Sequence, residues 1–246
     1  MGFFSKIEEI CFEKSGDGNL FFLFKKVLAR ARTRAFSLNN LADCRSLINF
    51  ALQNRPNFMS DLTKTNAQFE RVMAECKDIF EKKLHDYSAS WRLLRPTSVT
   101  DQMYIKARRI RTLEINGVSK VGEGIRPEFL GLINYGIIAL IQLESGFAEE
   151  ADMPQSEAIA LYSRHATAAT ELMQKKNFDY GEAWRGMRVS SYTDFILTKI
   201  ERIKELEDIN EQTLASEGIA SNIMDIINYA VFGAIRLGED EQNEAK

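Results

Sequence analysis

Apolar residues recur at intervals of three and four across residues 66–84, as Phe69, Val72, Met73, Cys76, Ile79, Phe80 and Leu84. That spacing lines one face of an amphipathic helix. Ile159, Tyr162, Ala166, Ala169, Leu172 and Met173 form a second stripe of the same kind. Each stripe leads into a short motif that reads as a loop. A further helix follows over about 100–114 and over about 193–208, with Ile110 and Leu113, or Ile200, Ile203 and Leu206, as its buried stripe. Thr100-Asp101 and Thr193-Asp194 read as the N-terminal caps of these helices, since a Thr hydroxyl bonds orphan amides and an acid suits the helix dipole. Third helices are expected over 127–143 and 216–237, with Pro127 in a first turn. No stretch alternates apolar and polar residues convincingly as a strand would. The pattern predicts an all-α fold.

The two series are copies of each other. Asp86-Tyr-Ser-Ala-Ser-Trp-Arg92 returns as Asp179-Tyr-Gly-Glu-Ala-Trp-Arg185, and residues 86–114 match 179–207 at 13 of 29 positions. With a one-residue slip, 123–143 match 217–237 at 8 of 21. A fixed offset over two blocks is the mark of an internal duplication. The chain is therefore read as two tandem repeats of about three helices each, packed as a pseudo-dimeric bundle. Repeat 1 spans 59–143 and repeat 2 spans 159–237. Residues 144–158, with Ser145-Gly146, Glu149-Glu150 and Pro154, form the linker, and 238–246 is an acidic tail expected to be disordered.

Residues 1–58 differ in character. They hold nine of the sixteen Phe and nine Lys/Arg against five Asp/Glu, whereas 59–246 carry 23 against 30. Met59 is read as the native start and 1–58 as an upstream extension with little stable structure; the competing reading is a basic arm that docks on a partner. A helix over 20–32 has no counterpart elsewhere. The acidic balance of the repeats argues against broad duplex nucleic-acid binding, which needs a basic footprint. There is no apolar run of the roughly 18–20 residues that cross a membrane. Cys11, Cys44 and Cys76 have no C-x-x-C spacing and read as reduced thiols, which fits a cytoplasmic chain. His85 and His165 lie outside the matched blocks, so histidine catalysis or a histidine metal site is not expected.

Most positions kept in both copies are polar, which packing alone does not require. They define a shared ligand site or a shared set of caps and salt bridges. On the third helix of repeat 2, Ser221, Asn228 and Asp225 fall roughly 40°, 20° and 80° from Glu217 at 100° per residue. Ile219, Ile223, Ile226 and Ala230 fall on the opposite face. Glu217 and Asp225, two turns apart on one stripe, suit Mg²⁺, a hard ion that takes few carboxylates and completes its shell with water and phosphate. Asp179 and Asp194 are further candidate ligands. Lys199 and Arg202, neighbours at i and i+3, would hold phosphates, and Tyr180 or Trp184 would stack a base. The competing reading pairs Glu217 and Asp225 with Lys199 and Arg202 across the bundle and buries Trp184 and Tyr229 in the core. Repeat 1 has Gly131 in place of Asp225 and Ser88 in place of Gly181. It should be weakened or silent unless Glu128, a turn earlier, substitutes.

Asp179-Tyr-Gly-x-Ala-Trp-Arg185, Thr193-Asp194 with Lys199 and Arg202, and Asp225-Ile-Ile-Asn-Tyr229 resemble the nucleotide-modification-associated domain family of the first type. The resemblance covers 159–237 and, less fully, 66–143. It implies an α-helical fold and a place in nucleotide or modified-base metabolism. More distantly, the Lys-x-x-Arg helix and the acidic helix after it are similar to MazG-like α-helical nucleoside triphosphate pyrophosphatases. Those bind Mg²⁺ through an E-x-x-E and a later E-x-x-D; here the first is missing before Asp194, and Glu217 to Asp225 is longer than the second. The expectation is a nucleotide-binding protein acting as a Mg²⁺-dependent nucleotide pyrophosphohydrolase. Glu217, Asp225 and Asp194 would be catalytic. Asp179, Tyr180, Gly181, Trp184, Arg185, Lys199, Arg202, Asn228 and Tyr229 would bind substrate. The alternative is a non-catalytic helical module whose repeated polar residues are structural. In either case the chain is expected as a monomer with an internal pseudo-dimer, or as a homodimer.

Overall fold

The structure, a computed structural model, describes residues 41–120, 122, 124–209 and 218–244, with backbone alone for 41–60 and 240–244. Among the described residues there are six α-helices and no strand: α1 (Leu41–Tyr87), α2 (Pro96–Asn116), α3 (Arg126–Ser145), α4 (Gln155–Tyr180), α5 (Val189–Asp208) and α6 (Ile219–Glu244). The all-α, two-repeat expectation holds, with α1–α3 in repeat 1 and α4–α6 in repeat 2. Residues from Leu62 on form one compact unit. The expected helix at 20–32 lies outside the described residues, and α1 runs through Met59 without a break.

Local sequence explains where the helices turn. α4 ends at Tyr180 because Gly181 takes a left-handed φ of 60° and its amide bonds Asn177 O at 2.9 Å, a conformation that a glycine adopts without a Cβ penalty. Ser88 does the same job at φ 54° in repeat 1. Short 3₁₀ turns, Ser90–Leu93 and Ala183–Gly186, then carry each Trp-Arg pair. α2 begins at Pro96 behind an extended Arg95, as expected before proline.

That early start corrects the cap assignment. Thr100 and Thr193 lie about a turn inside α2 and α5, not at their ends, and both are buried. Thr100 Oγ1 donates to Glu207 Oε1 at 2.6 Å, and Thr193 Oγ1 donates to Glu114 Oε1 at 2.9 Å. The two bonds exchange equivalent residues between repeats, as a two-fold interface requires. Asp194, read as a cap or ligand, pairs with Arg111 of repeat 1 in an exposed bridge. The tail expected to be disordered instead continues α6 to Glu244.

The core sits where α2, α3, α5 and α6 meet. α3 carries buried residues on most of its circumference, including Phe129, Ile133, Ile137 and Ile141, and it lies close against α6. A Cβ added at Gly136 would fall 2.7 Å from Ile227 Cγ1. α1 and α4 reach across to the other repeat. Phe69 of α1 packs edge-on against Phe232 of α6 at 6.1 Å, whereas its equivalent Tyr162 of α4 stacks on Phe80 of α1 at 4.4 Å.

Gly136→Ala should destabilise by about 1–3 kcal/mol through overpacking. Gly186→Ala, whose Cβ would meet nothing within 4 Å, should be neutral within about 0.5 kcal/mol. Urea midpoints of the two variants check this.

Burial raises the Glu114 and Glu207 carboxyls above the ordinary carboxylate range, with the Thr hydrogen bonds opposing. A raised folded pKa gives stability that is present at low pH and lost as pH climbs through that pKa. Relative to the Glu114→Gln/Glu207→Gln double variant, the parent should therefore gain stability between pH 7 and pH ~5. Paired denaturant titrations at the two pH values measure it.

Candidate functional site

Arg185 is built into a brace. Its Nε meets Glu182 Oε2 at 2.8 Å, and its Nη2 donates to Thr65 Oγ1 at 2.7 Å and Gln68 Oε1 at 2.6 Å. The guanidinium also lies 4.3 Å above the Trp184 ring. Phe232 stacks on Trp184 at 4.4 Å, nearly parallel. Two partners this close to one ring must take opposite faces, so Trp184 offers an incoming base only its edge. Arg236 donates to the Arg185 carbonyl and closes the turn from α6.

Beside this brace a cavity of about 210 Å³ opens in repeat 2. Met173, Trp184, Met187, Tyr192, Phe195 and Tyr229 give it an apolar wall, and Lys176, Asn177, Asp225 and Asn228 supply its polar groups. Tyr180 stands at the mouth, 72% exposed. Tyr192 donates to the Trp184 carbonyl, and burial pushes its phenol up to about 12, so it remains a donor at neutral pH. Burial, and then the Asp225 charge, raises Tyr229 as well.

Asp225 is 7% exposed. Its Oδ1 meets Lys176 Nζ at 2.5 Å and its Oδ2 meets Lys199 Nζ at 2.8 Å. The Asp225–Lys199 pair of the competing reading is thus made, with Lys176 added. Asn228 is 5% exposed, and neither Oδ1 nor Nδ2 has a partner among the described residues; Trp184 Nε1 is buried without one too. A buried, unpaired amide costs about 1–3 kcal/mol per group. Asn228 and Trp184 both line this cavity, so three such atoms belong to the residues of its wall.

The structure brings Asp225, Lys199, Tyr180, Trp184, Asn228 and Tyr229 of the predicted set together. Others go elsewhere. Arg202 pairs with Glu205 at 2.8 Å on the surface, Arg185 is in the brace, and Asp179 is exposed in the last turn of α4. Ser221 is exposed, on a shallow depression with Leu172 and Met224. Glu217 lies outside the described residues. Sequence reasoning missed Lys176, although its identity with Lys83 at the same offset of 93 was there to be read. It also missed Glu182, whose Oε1 accepts from the Asn177 amide and whose Oε2 accepts from Thr65 at 2.5 Å.

Repeat 1 holds the equivalent cavity, lined at corresponding positions by Phe80, Lys83, Trp91, Asn134 and Tyr135, and also by Lys106. Here the carboxylate has moved one turn. Glu128, 3% exposed, meets Lys106 at 3.1 Å and also pairs with Arg109. Gly131 leaves the space for the Lys106 stem: a Cβ there would sit 2.7 Å from Lys106 Cδ. Asn134 Oδ1 accepts from Tyr162 Oη at 2.7 Å.

Fold and site together define an all-α tandem-repeat protein with two related pockets, one at the Trp-Arg turn of each repeat. The family model for nucleotide modification associated domain 1 matches the chain twice, over residues 83–143 and 176–237, half of its length. The chain belongs to that family. No curated protein and no solved structure matches it, so the likeness to MazG-like pyrophosphatases rests on residues alone.

Asp225→Asn leaves two partly exposed lysines and should cost about 1–3 kcal/mol. Glu128→Gln strips two cations of a more deeply buried partner and should cost more, about 3–5 kcal/mol. Chemical denaturation of the two variants, side by side, ranks them.

Proposed function

We propose that the repeat 2 pocket binds a nucleotide. The observation that carries this reading is the Asn228 carboxamide, buried in an apolar cavity with its donor and its acceptor both unused. A nucleobase edge presents a neighbouring acceptor and donor, and an Asn side chain pairs with such an edge through two hydrogen bonds. The cavity, at about 210 Å³, is below the roughly 300–1,000 Å³ of a site that swallows a drug-sized ligand. It takes a base, while sugar and phosphate extend past Tyr180 toward Lys176 and Lys199. Tyr180 and Tyr229 supply the rings for stacking, worth about 1–3 kcal/mol per base. The family's association with nucleotide modification supports the same class of ligand.

A Mg²⁺-dependent pyrophosphohydrolase would need a carboxylate set for the metal. Among the described residues, Asp225 is the carboxylate lining this pocket, and each of its oxygens faces an ammonium. Nor do the described residues gather three acidic, His or Cys side chains into a cluster. The described residues thus do not by themselves make a divalent-cation site, Glu217 lying outside them, and the reading proposed is of binding.

Calorimetric titration of the full chain with nucleoside mono- and triphosphates, with and without Mg²⁺, tests it. At least one nucleotide should bind. Asn228→Ala should weaken it about tenfold or more, the worth of one lost bidentate contact. Lys176→Ala should weaken the nucleotide more than its nucleoside. Absence of binding by the parent chain, or equal binding by both variants, removes the proposal.

A further inference from the structure

The repeat 1 pocket has diverged from its twin in three concerted ways. Its cavity is about 630 Å³ against about 210 Å³ in repeat 2. Counting the lining charges and the cations paired to each acid, repeat 1 gathers Lys83, Lys106 and Arg109 with Glu128, net +2, whereas repeat 2 gathers Lys176 and Lys199 with Asp225, net +1. The amide that would read a base is occupied here, because Tyr162 donates to Asn134 Oδ1. Burial pushes the Tyr162 phenol far above its ordinary value, so this donor keeps its proton. What remains for a guest is the cation pair, the hydroxyls of Ser88 and Ser90, and the Nε1 of Trp91, which is buried without a partner among the described residues.

A pocket decaying after duplication would have no need to rebuild its charges. Loss of a carboxylate at position 131 would by itself leave Lys106 without its counter-ion. Instead Glu128 holds Lys106 and Arg109 from the turn before, and Gly131 makes room for the Lys106 stem. Position 222 of repeat 2, equivalent to Glu128, is Asn. The two substitutions form a matched exchange that keeps the cations in place while moving the acid one turn along the cavity wall.

We propose that repeat 1 is a second ligand site, selective for a polyphosphate-bearing nucleotide that it reads through phosphates and sugar and not through the base edge. The class of ligand rests on the nucleotide reading of the family fold; the site itself rests on the cavity. Its guest is larger and more anionic than the guest of repeat 2, and the base is read loosely.

The chain contains two tryptophans, Trp91 and Trp184, one in each pocket, so each site carries its own reporter. Full-length protein labelled with 5-fluorotryptophan gives two ¹⁹F resonances, assigned with Trp91→Phe and Trp184→Phe. The four nucleoside triphosphates, their monophosphates and inorganic tripolyphosphate are the probes. The Trp91 signal should move saturably with every triphosphate at affinities within about threefold of one another, and with tripolyphosphate. Monophosphates should be weaker by about tenfold or more. Lys83→Glu, at an exposed position, should weaken the Trp91 response about tenfold and leave the Trp184 response unchanged; Lys83→Ala should do the same to a smaller degree. The proposal is overturned if Trp91 stays silent with all probes, if it moves only in step with Trp184 at one common affinity, or if both Lys83 variants bind as the parent does. A silent Trp184 beside a responsive Trp91 would remove the repeat 2 reading and leave this one standing.

Discussion

Each Trp-Arg turn carries a guanidinium whose donors are met partly by chain outside its repeat, and the arrangement of the bundle reflects that. A buried guanidinium costs several kcal/mol unless its donors find acceptors. Arg92, only 5% exposed, finds them in Gln142, the Gly146 carbonyl and Asp152, the last two in the stretch leading to α4. Arg185 finds them in Thr65, Gln68 and Glu239 as well as its neighbour Glu182. Thr65 and Gln68 belong to α1, the first helix of the other repeat. Gln142 and Arg236, at equivalent positions of α3 and α6, tie the turn carbonyls down from the third helix of each repeat. Each turn is thus held by its own third helix and covered by chain from outside its own repeat. The repeat 2 turn therefore draws on the other repeat, and the repeat 1 turn on its own third helix and the linker.

The same constraint governs the charges. The middle helix of each repeat brings a lysine, Lys106 or Lys199, to the acid of the pocket, and that acid can come from either of two successive turns of the following helix. Repeat 2 uses Asp225 and repeat 1 uses Glu128. Local balance is therefore kept while the pocket wall changes. This is why the copies agree in their cations and differ in the acid, a difference that looks like loss of function when position 131 is read by itself.

The duplication, the helix count and the buried stripes were legible because periodicity and identity are local or fixed-offset properties. The starts of α2 and α5 were less so. Thr100 and Thr193 look like caps, and nothing nearby in the chain says that their hydroxyls serve Glu207 and Glu114, 107 and 79 residues away. The polar stripe on α6 was right in angle and wrong along the axis. Asp225 and Asn228 fall within the bundle, whereas Ser221, on the same side, lies nearer the helix end and is exposed. Arg202 parted from Lys199 for a similar reason, since one helical turn carried it beyond Asp225 to Glu205. Angle can be computed from a sequence, but axial overlap depends on where neighbouring helices stop.

One substitution separates the two pockets more than any other. Tyr162 and Phe69 are equivalent residues, each sent by a first helix into the opposite repeat. The Tyr hydroxyl satisfies Asn134; Phe has none, and Asn228 is left with an unmet acceptor and an unmet donor. Were Asn228 only a structural residue, the simplest way to relieve its cost of about 1–3 kcal/mol per group would be the oxygen already present in the other copy. The unpartnered amide at position 228, in the copy where Phe69 replaces the equivalent of Tyr162, is the group that the proposed base would bond. The pairing of a kept Asn with a missing hydroxyl therefore points to a guest more directly than the carboxylates and cations do, because those groups are already satisfied by one another.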